Sequence, residues 1–476
     1  MQEKLIYNVE DRPPIAKNLV FALQQLLAIL AATIAVPAII GNGMSQSAAL
    51  FGAGVGTLVY LLFTKFKSPV FLGSSFAFLS SMAAAFTGAI TVNAGYIGLL
   101  FGALFAGLVY VVLALIVKKI GTGWVDKLMP PVIIGPTVAI IGLSLAGNAI
   151  GDLQKGSVLD PLTLAPVASV WLCLLCGLVT LLVTIIASVY GKKMLKMIPF
   201  IIGILSGYAL AAIFSAIGYG ADIDALKIIN FSLFENMQWV PDFTFIKAFG
   251  AFGDFDSAGS FFAYFGQIAI LYVPVAFVVF AEHIADHKNL SSIIDRDLTK
   301  DPGLDRTLLG DGVGSFAGAF FGGCPNTTYG ESIGCVAISK NASVSTIFIT
   351  ALMAIVISFF APFVTFLATI PSCVMGGVCV ALYGFIAVSG LKMLQKVDLG
   401  DNKNLFVVSA ILIAGVGGLV LNIPNAANPV VTVTDVACAL LLGILVNFIV
   451  NFKKPKEEEP VEEPQQEEET QVEEAE

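Results

Sequence analysis

Three carboxylates stand where a chain seldom keeps charge. Glu282 and Asp286 interrupt the run that begins Phe277-Val278-Val279-Phe280-Ala281, and Glu331 follows the stretch Pro325-Asn326-Thr327-Thr328-Tyr329-Gly330. A charge at the centre of a membrane helix costs about 2.5–3.5 kcal/mol on insertion scales, so it marks binding or coupling by default. Glu282 and Asp286 are four residues apart and share a helix face. Lys288 follows Glu282 by about 9 Å along a helix, so the competing reading is a helix end at the inner interface. Glu331 opens a half-helix, where the macrodipole stabilises a carboxylate. It either caps that helix or faces a ligand. His283 and His287, the only two histidines, form a second i,i+4 pair on the adjacent face. No third ligand completes a metal site, and no cofactor motif occurs. Asp435 is a lone acid in the last apolar run, and Asp311 reads as interfacial.

The elements that hold these residues must be membrane helices. Of 476 residues, 57% are apolar and 12% are charged. A soluble domain carries roughly 25% charge, and a globule this apolar would expose aggregating patches. The composition excludes a soluble enzyme, a nucleic-acid binder and a disordered protein, and makes the lipid bilayer the solvent. The net charge of −9 reflects the terminus, because residues 457–476 hold 11 Glu and no base. The tail 453–476 reads as a disordered, acidic cytoplasmic segment. The first 17 residues are polar and hold two prolines, so no cleavable signal peptide is evident. The seven cysteines lie mostly in apolar runs. Cys173 and Cys176 read as helix packing and not as a redox pair.

Apolar runs of about 20 residues span a bilayer. Fourteen are expected, at 16–40, 47–65, 69–88, 94–118, 129–149, 165–189, 196–218, 261–283, 306–323, 326–340, 344–369, 372–391, 403–422 and 430–451. With the N-terminus inside, 22 of the 25 Lys and Arg fall in inner segments, and only Lys155, Lys227 and Lys247 fall outside. That asymmetry follows the positive-inside rule and places both termini in the cytoplasm. The longest outer loop is 219–260, and the polar inner connection 288–305 is expected to be partly helical.

Two spans look broken. The third holds Leu72-Gly73-Ser74-Ser75-Phe76, and the tenth holds Gly322-Gly323-Cys324-Pro325 and the hydroxyl-rich stretch before Glu331. Irregular backbone is tolerated at membrane depth only where it lines an enclosed cavity. The two breaks lie seven spans apart. Seven is odd, so the second half enters from the opposite side, the mark of a 7+7 inverted repeat with its site at the midplane. Gly52-Ala53-Gly54-Val55-Gly56 reads as helix packing, and no GK[ST] motif supports ATP-driven transport. These residues describe a secondary transporter. Carboxylates accept N–H donors and half-helix amides donate to carbonyls, so a small, flat, neutral ligand with alternating N–H and C=O groups suits the site.

On these residues the sequence resembles the nucleobase:cation symporter-2 (nucleobase–ascorbate transporter) family. The matching stretches are Leu72-Gly73-Ser74-Ser75-Phe76-Ala77-Phe78, Lys119-x-Gly121-Thr122-Gly123-Trp124, Ala281-Glu282-His283, Asp301-Pro302-Gly303-Leu304 and Pro325 to Glu331. They keep family order from about residue 10 to 450, and the last favours uracil over purines. The resemblance implies an all-α polytopic fold of fourteen spans in which short antiparallel β-strands break spans 3 and 10. It implies a core domain (1–128 and 261–370) and a gate domain (129–218 and 371–452), separated in part by the outer loop 219–260. It matches Glu282 and Glu331 to the carboxylates that hold uracil, Phe76 to the aromatic beside the base, and Tyr329 and Gly330 to main-chain contacts, with Ser75, Gln25 and Asn326 in support. Some members have His four residues after the first Glu, where this chain has Asp286. Asp286 is therefore expected to take the proton role, together with Glu282. The expected protein is a plasma- or inner-membrane proton symporter for uracil, homodimeric, with no cofactor, no metal and no nucleic-acid partner; sodium coupling is the lesser expectation. The alternatives are a xanthine or guanine permease on the same scaffold, an anion transporter of similar fold, a membrane enzyme, and a passive channel. No basic residue lies within 70–87 or 321–338 to favour an anion.

Overall fold

The computed structural model describes residues 5–452 apart from 160–164, 193, 194, 196, 197, 238, 256, 396 and 424–430. The acidic tail 453–476 and the bases Lys4, Lys193, Lys196, Lys396, Lys453, Lys454 and Lys456 lie outside the described residues. The chain is mostly helical. In order it forms α1 (Ile15–Ile40), α2 (Gln46–Phe63), β1 (Leu72–Ser74), α3 (Leu79–Thr87), α4 (Val92–Ile120), α5 (Gly123–Leu128), α6 (Pro131–Ser144), α7 (Ala146–Asp152), α8 (Val170–Tyr190) and α9 (Pro199–Ala221). Then come α10 (Thr244–Gly250), α11 (Ala258–Ile294), α12 (Leu304–Gly322), β2 (Asn326–Thr328), α13 (Gly330–Ser339), α14 (Val344–Ile357), α15 (Ala361–Thr369) and α16 (Ser372–Leu394). The last elements are α17 (Asn402–Val416), β3 (Leu421–Ile423), β4 (Val431–Val433) and α18 (Asp435–Asn451).

Among the described residues, eight helices are long and apolar enough to cross a membrane, nine if α14 and α15 count as one span. Those two meet at 85°, so the expected straight run 344–369 is bent. The expected helix 261–283 is longer than read. It continues to Ile294 as one element of 37 residues and takes in part of the inner connection. A capping box at Ser257 and Ser260 fixes its start. The strand pair β3–β4 precedes α18 and was not expected from sequence.

Small residues set the packing. α2 lies against α12, and α12 against α4. A Cβ on Gly52 would sit 2.3 Å from the Gly318 carbonyl oxygen, so α2 and α12 touch backbone to backbone. The run Gly52–Gly56 therefore acts in packing. A second group of helices, α6, α8, α9, α16, α17 and α18, packs mainly within itself. Here Gly142 abuts the Tyr383 carbonyl, and Gly203 and Gly207 receive Thr184 and Thr180. Cys173, Cys176 and Cys373 are buried in this group, and all seven cysteines are free thiols.

Candidate functional site

The two breaks meet. β1 and β2 pair antiparallel, with Leu72 opposite Thr328, Gly73 opposite Thr327 and Ser74 opposite Asn326. The ladder extends on both sides, because the Ser75 N–H donates to the Pro325 carbonyl at 2.9 Å and the Tyr329 N–H to the Phe71 carbonyl at 3.2 Å. Backbone groups freed by breaking each helix are thus satisfied by the other break, which makes irregular chain tolerable inside the protein. Gly73 is required by contact: a Cβ there would lie 2.3 Å from the Tyr329 ring. The Tyr329 hydroxyl donates to the Ser74 carbonyl at 2.9 Å and fastens the pair from the side.

Polar side chains brace the strands from behind. Thr57 Oγ1 accepts from the Leu72 N–H at 2.9 Å, and Ser332 Oγ from the Phe71 N–H at 3.1 Å. Gln25 Nε2 donates to the Ser332 carbonyl at 3.2 Å and also to its hydroxyl. Asn326 Nδ2 donates to the Gly52 carbonyl at 3.2 Å. Ser75 is 1% exposed.

In front of the strands is a cavity of about 320 Å³. Phe76, Glu282, Asp286, Tyr329, Gly330 and Glu331 line it together. Ser75, Gln25 and Asn326 do not; they lie in the layer behind. Val138, Phe200, Phe385 and Ile386 close the opposite wall from the second helix group. Phe76 packs edge-on against Tyr383 of that group, with ring centroids 5.6 Å apart. Ser188, Asn289 and Ser389 extend the cavity toward the C-terminal turns of α8, α11 and α16, near Lys192, Lys288 and Lys392 in the sequence. Among the described residues no Lys or Arg lines the cavity. The site offers carboxylate acceptors, an aromatic face and the start of a half-helix with Glu331 in its first turn. That set matches a neutral, flat molecule with N–H donors and carbonyl acceptors.

Sequence reasoning missed several contacts. Thr328 Oγ1 donates to Asp286 Oδ2 at 2.7 Å, tying the strand to α11. The hydroxyl-rich stretch was the available signal, but only the register gives the partner. Asp311 corrects the interfacial reading. It is 1% exposed, and its Oδ2 lies 2.6 Å from His283 Nδ1. His287 Nδ1 donates to the His283 carbonyl at 2.8 Å, and its Nε2 lies 2.8 Å from the Tyr60 hydroxyl. Neither histidine faces the cavity. Among the described residues no group of His, Cys, Asp and Glu is arranged to hold a metal ion. Asp435 opens α18, and its Oδ1 accepts from the Val436 N–H at 2.9 Å.

Comparison with known proteins agrees with this architecture. The permease family matches residues 16–423. A uracil permease of Bacillus caldolyticus is 40% identical over 94% of this chain and 95% of its own. That of Bacillus subtilis (strain 168) is 36% identical over 96% and 97%, and that of Escherichia coli (strain K12) 35% over 94% and 95%. Among solved structures, the transmembrane domain of a cyanobacterium bicarbonate transporter, BicA, superposes with a TM-score of 0.60 at 15% identity, over 93% of this chain and 99% of that one. The murine anion transporter solute carrier 26 family member A9, in its inward-facing state, gives 0.60 at 11% identity, over 93% and 69%. At such identities the likeness speaks for the fold alone. The protein is thus a multi-pass membrane transporter and not an enzyme, and the chain belongs to the permease family of nucleobase:cation symporter-2 proteins.

Proposed function

We propose that this permease imports uracil by proton symport. The observation that carries the reading is the convergence of Glu282, Glu331 and Phe76 on one cavity that, among the described residues, no cationic side chain lines. Uracil has two N–H donors and two carbonyl acceptors. Glu282 and Glu331 take the N–H edges, main-chain groups at Tyr329 and Gly330 meet a carbonyl, and Phe76 lies beside the ring. Ser75, Gln25 and Asn326 hold the strands from behind. Asp286, four residues from Glu282 on the same cavity wall, carries the coupling proton. The names of the relatives support uracil as substrate.

The same reading supplies the larger architecture. Fourteen spans form a 7+7 inverted repeat, counting the short helices beside each strand as half-spans. Residues 1–128 and 261–370 form the core, and 129–218 and 371–452 form the gate. The separate packing of the two helix groups supports this division. The core moves against the gate to alternate access, and the cavity's extension toward the ends of α8, α11 and α16 supports an inward-facing reading. Both termini are cytoplasmic, the protein sits in the cell membrane, and the working unit is a homodimer.

A purine permease on the same scaffold is the second reading. Competition decides between them. In cells lacking their own permeases, excess unlabelled uracil abolishes uptake of radiolabelled uracil and excess xanthine or guanine leaves it intact. Uptake of labelled xanthine that uracil does not suppress would overturn the assignment.

A further inference from the structure

A second set of buried polar groups lies behind the substrate strands, on the far face of α11. His283 is 1% exposed, His287 0%, Asp311 1% and Tyr110 4%. The imidazoles of His283 and His287 stack with centroids 4.0 Å apart. His283 Nδ1 meets Asp311 Oδ2 at 2.6 Å, and His283 Nε2 meets Thr307 Oγ1 at 3.0 Å. The Thr307 hydroxyl also reaches the Leu304 carbonyl at 3.1 Å. It has one proton and two acceptors in range.

Two further atoms are unsatisfied among the described residues. Asp311 Oδ1 and the Tyr110 hydroxyl are buried without a hydrogen-bond partner. Both residues line one small cavity, about 10 Å³ at the scale of a water centre, together with Ser315, Asn326 and Thr327. That is room for one water, and a buried water needs two to four polar partners of this kind. Thr327 also lines the substrate cavity, so a single strand separates the two. The titratable groups around Asp311 are His283 on α11, Tyr110 on α4 and Tyr60 on α2, with Glu282 and Asp286 round α11 beyond His283. No Lys or Arg lines either cavity.

We propose that Asp311 and His283, completed by one water held between Asp311 Oδ1, the Tyr110 hydroxyl and Ser315, form a second proton-binding site that works with Asp286 in coupling. The geometry accommodates both protonation states without breaking backbone bonds. With the proton bound, the imidazolium donates through Nδ1 to Asp311 Oδ2 and through Nε2 to Thr307 Oγ1, whose hydroxyl donates to the Leu304 carbonyl. With the proton released, Nε2 is bare and the Thr307 hydroxyl turns to donate to it. The water keeps Asp311 Oδ1 satisfied in both states. The site adds or removes one positive charge one strand away from the substrate carboxylates, where the low local dielectric lets them sense it.

This inference rests on the proton-symport reading, and the experiment separates the two. Purified protein in proteoliposomes is assayed for radiolabelled uracil counterflow and for accumulation driven by an imposed pH gradient, with and without a protonophore. The ratio of driven accumulation to counterflow falls roughly tenfold in Asp311→Asn, within the range of coupling between sites. Tyr110→Phe, which removes only a partner of the water, shifts the pH midpoint of driven uptake in the same assay. In parallel, infrared difference spectra across a pH titration show imidazole protonation bands that Asp311→Asn displaces and His283→Gln abolishes. A merely structural pair would move neither the ratio nor these bands. An unchanged ratio and pH midpoint in both variants, or spectra unaffected by His283→Gln, overturns the proposal. Should the wild type itself ignore the protonophore, the symport reading fails while the infrared titration still decides whether the pair binds a proton. Should Asp311→Asn not fold, Tyr110→Phe and the infrared comparison with His283→Gln carry the decision.

Discussion

Two faces of one helix carry the same kind of residue to opposite ends. On α11, Glu282 and Asp286 look into the cavity, while His283 and His287, one position on in each case, are packed against α12 and α2. In sequence the two pairs look alike: ionisable, spaced i,i+4 and set in apolar surroundings. On the cavity face the Thr328 hydroxyl donates to Asp286, and the remaining carboxylate acceptors face the cavity. The packed face spends its groups on Asp311, Thr307 and Tyr60. The difference teaches that spacing identifies a face, and only the neighbouring helix decides whether that face binds or braces.

The sharpest way to break this comparison is on the cavity face. Glu282→Gln or Glu331→Gln removes a charged acceptor, and hydrogen bonds to charged groups contribute about 1.5–3 kcal/mol. Each substitution is expected to lower uracil uptake by roughly ten- to a hundredfold while thermal stability is kept, because a buried charge is lost with it. Asp286→Asn keeps an oxygen to accept from Thr328, so the protein folds. Its uptake should lose its response to a protonophore, and uptake that remains protonophore-sensitive would contradict the coupling role.

At His287 and at the helix contacts behind it, the answer should come in stability instead. His287→Phe removes one partner of the buried Tyr60 hydroxyl, which keeps Ser68 at 2.7 Å, so it should cost about 0.5–1.5 kcal/mol, read as a lowered unfolding temperature with little change in the KM for uracil. Gly52→Ala forces a methyl toward the Gly318 carbonyl 2.3 Å away, and overpacking of this kind costs about 1–3 kcal/mol, again read by thermal unfolding.

The smallest effect belongs to the chain of ion pairs Glu10–Arg296–Asp301–Lys67. Its members are partly exposed, so Glu10→Gln should cost no more than about 1 kcal/mol and should vanish in high salt. Hydrogen bonds from Lys67 and then Arg296 hold the Asp301 carboxyl below its usual range. Its contribution is therefore present above the ordinary Asp value of about 3.9 and is lost as pH falls through the lowered one. An unfolding temperature measured from pH 6 downward, in wild type and Asp301→Asn, checks the sign.

Much of the site was legible because the bilayer punishes exceptions. Gly73, Ser74 and Ser75 in one apolar run, and Pro325 to Gly330 in another, could not face lipid, and the structure pairs them as β1 and β2. Their residue types alone did not give strands, which the family resemblance implied, and the register comes only from the backbone. Asp311 was misread because its partner, His283, is 28 residues away on another helix, and helix–helix pairing leaves no local trace. The 85° turn between α14 and α15 was hidden in an unbroken apolar run, since hydropathy reports burial and not direction. Helix in the inner connection 288–305 was expected, but not its continuity with the span, because a polar segment can stay helical once one face is packed.

The central claim is that two carboxylates on one cavity bind uracil and that a proton moves with it. Radiolabelled uracil uptake in cells lacking their own permease, by wild type, Glu282→Gln and Glu331→Gln, with and without a protonophore, tests it most directly. The account predicts wild-type uptake that the protonophore abolishes and near-background uptake in both variants. Wild-type levels in both variants, or uptake indifferent to the protonophore, would contradict it.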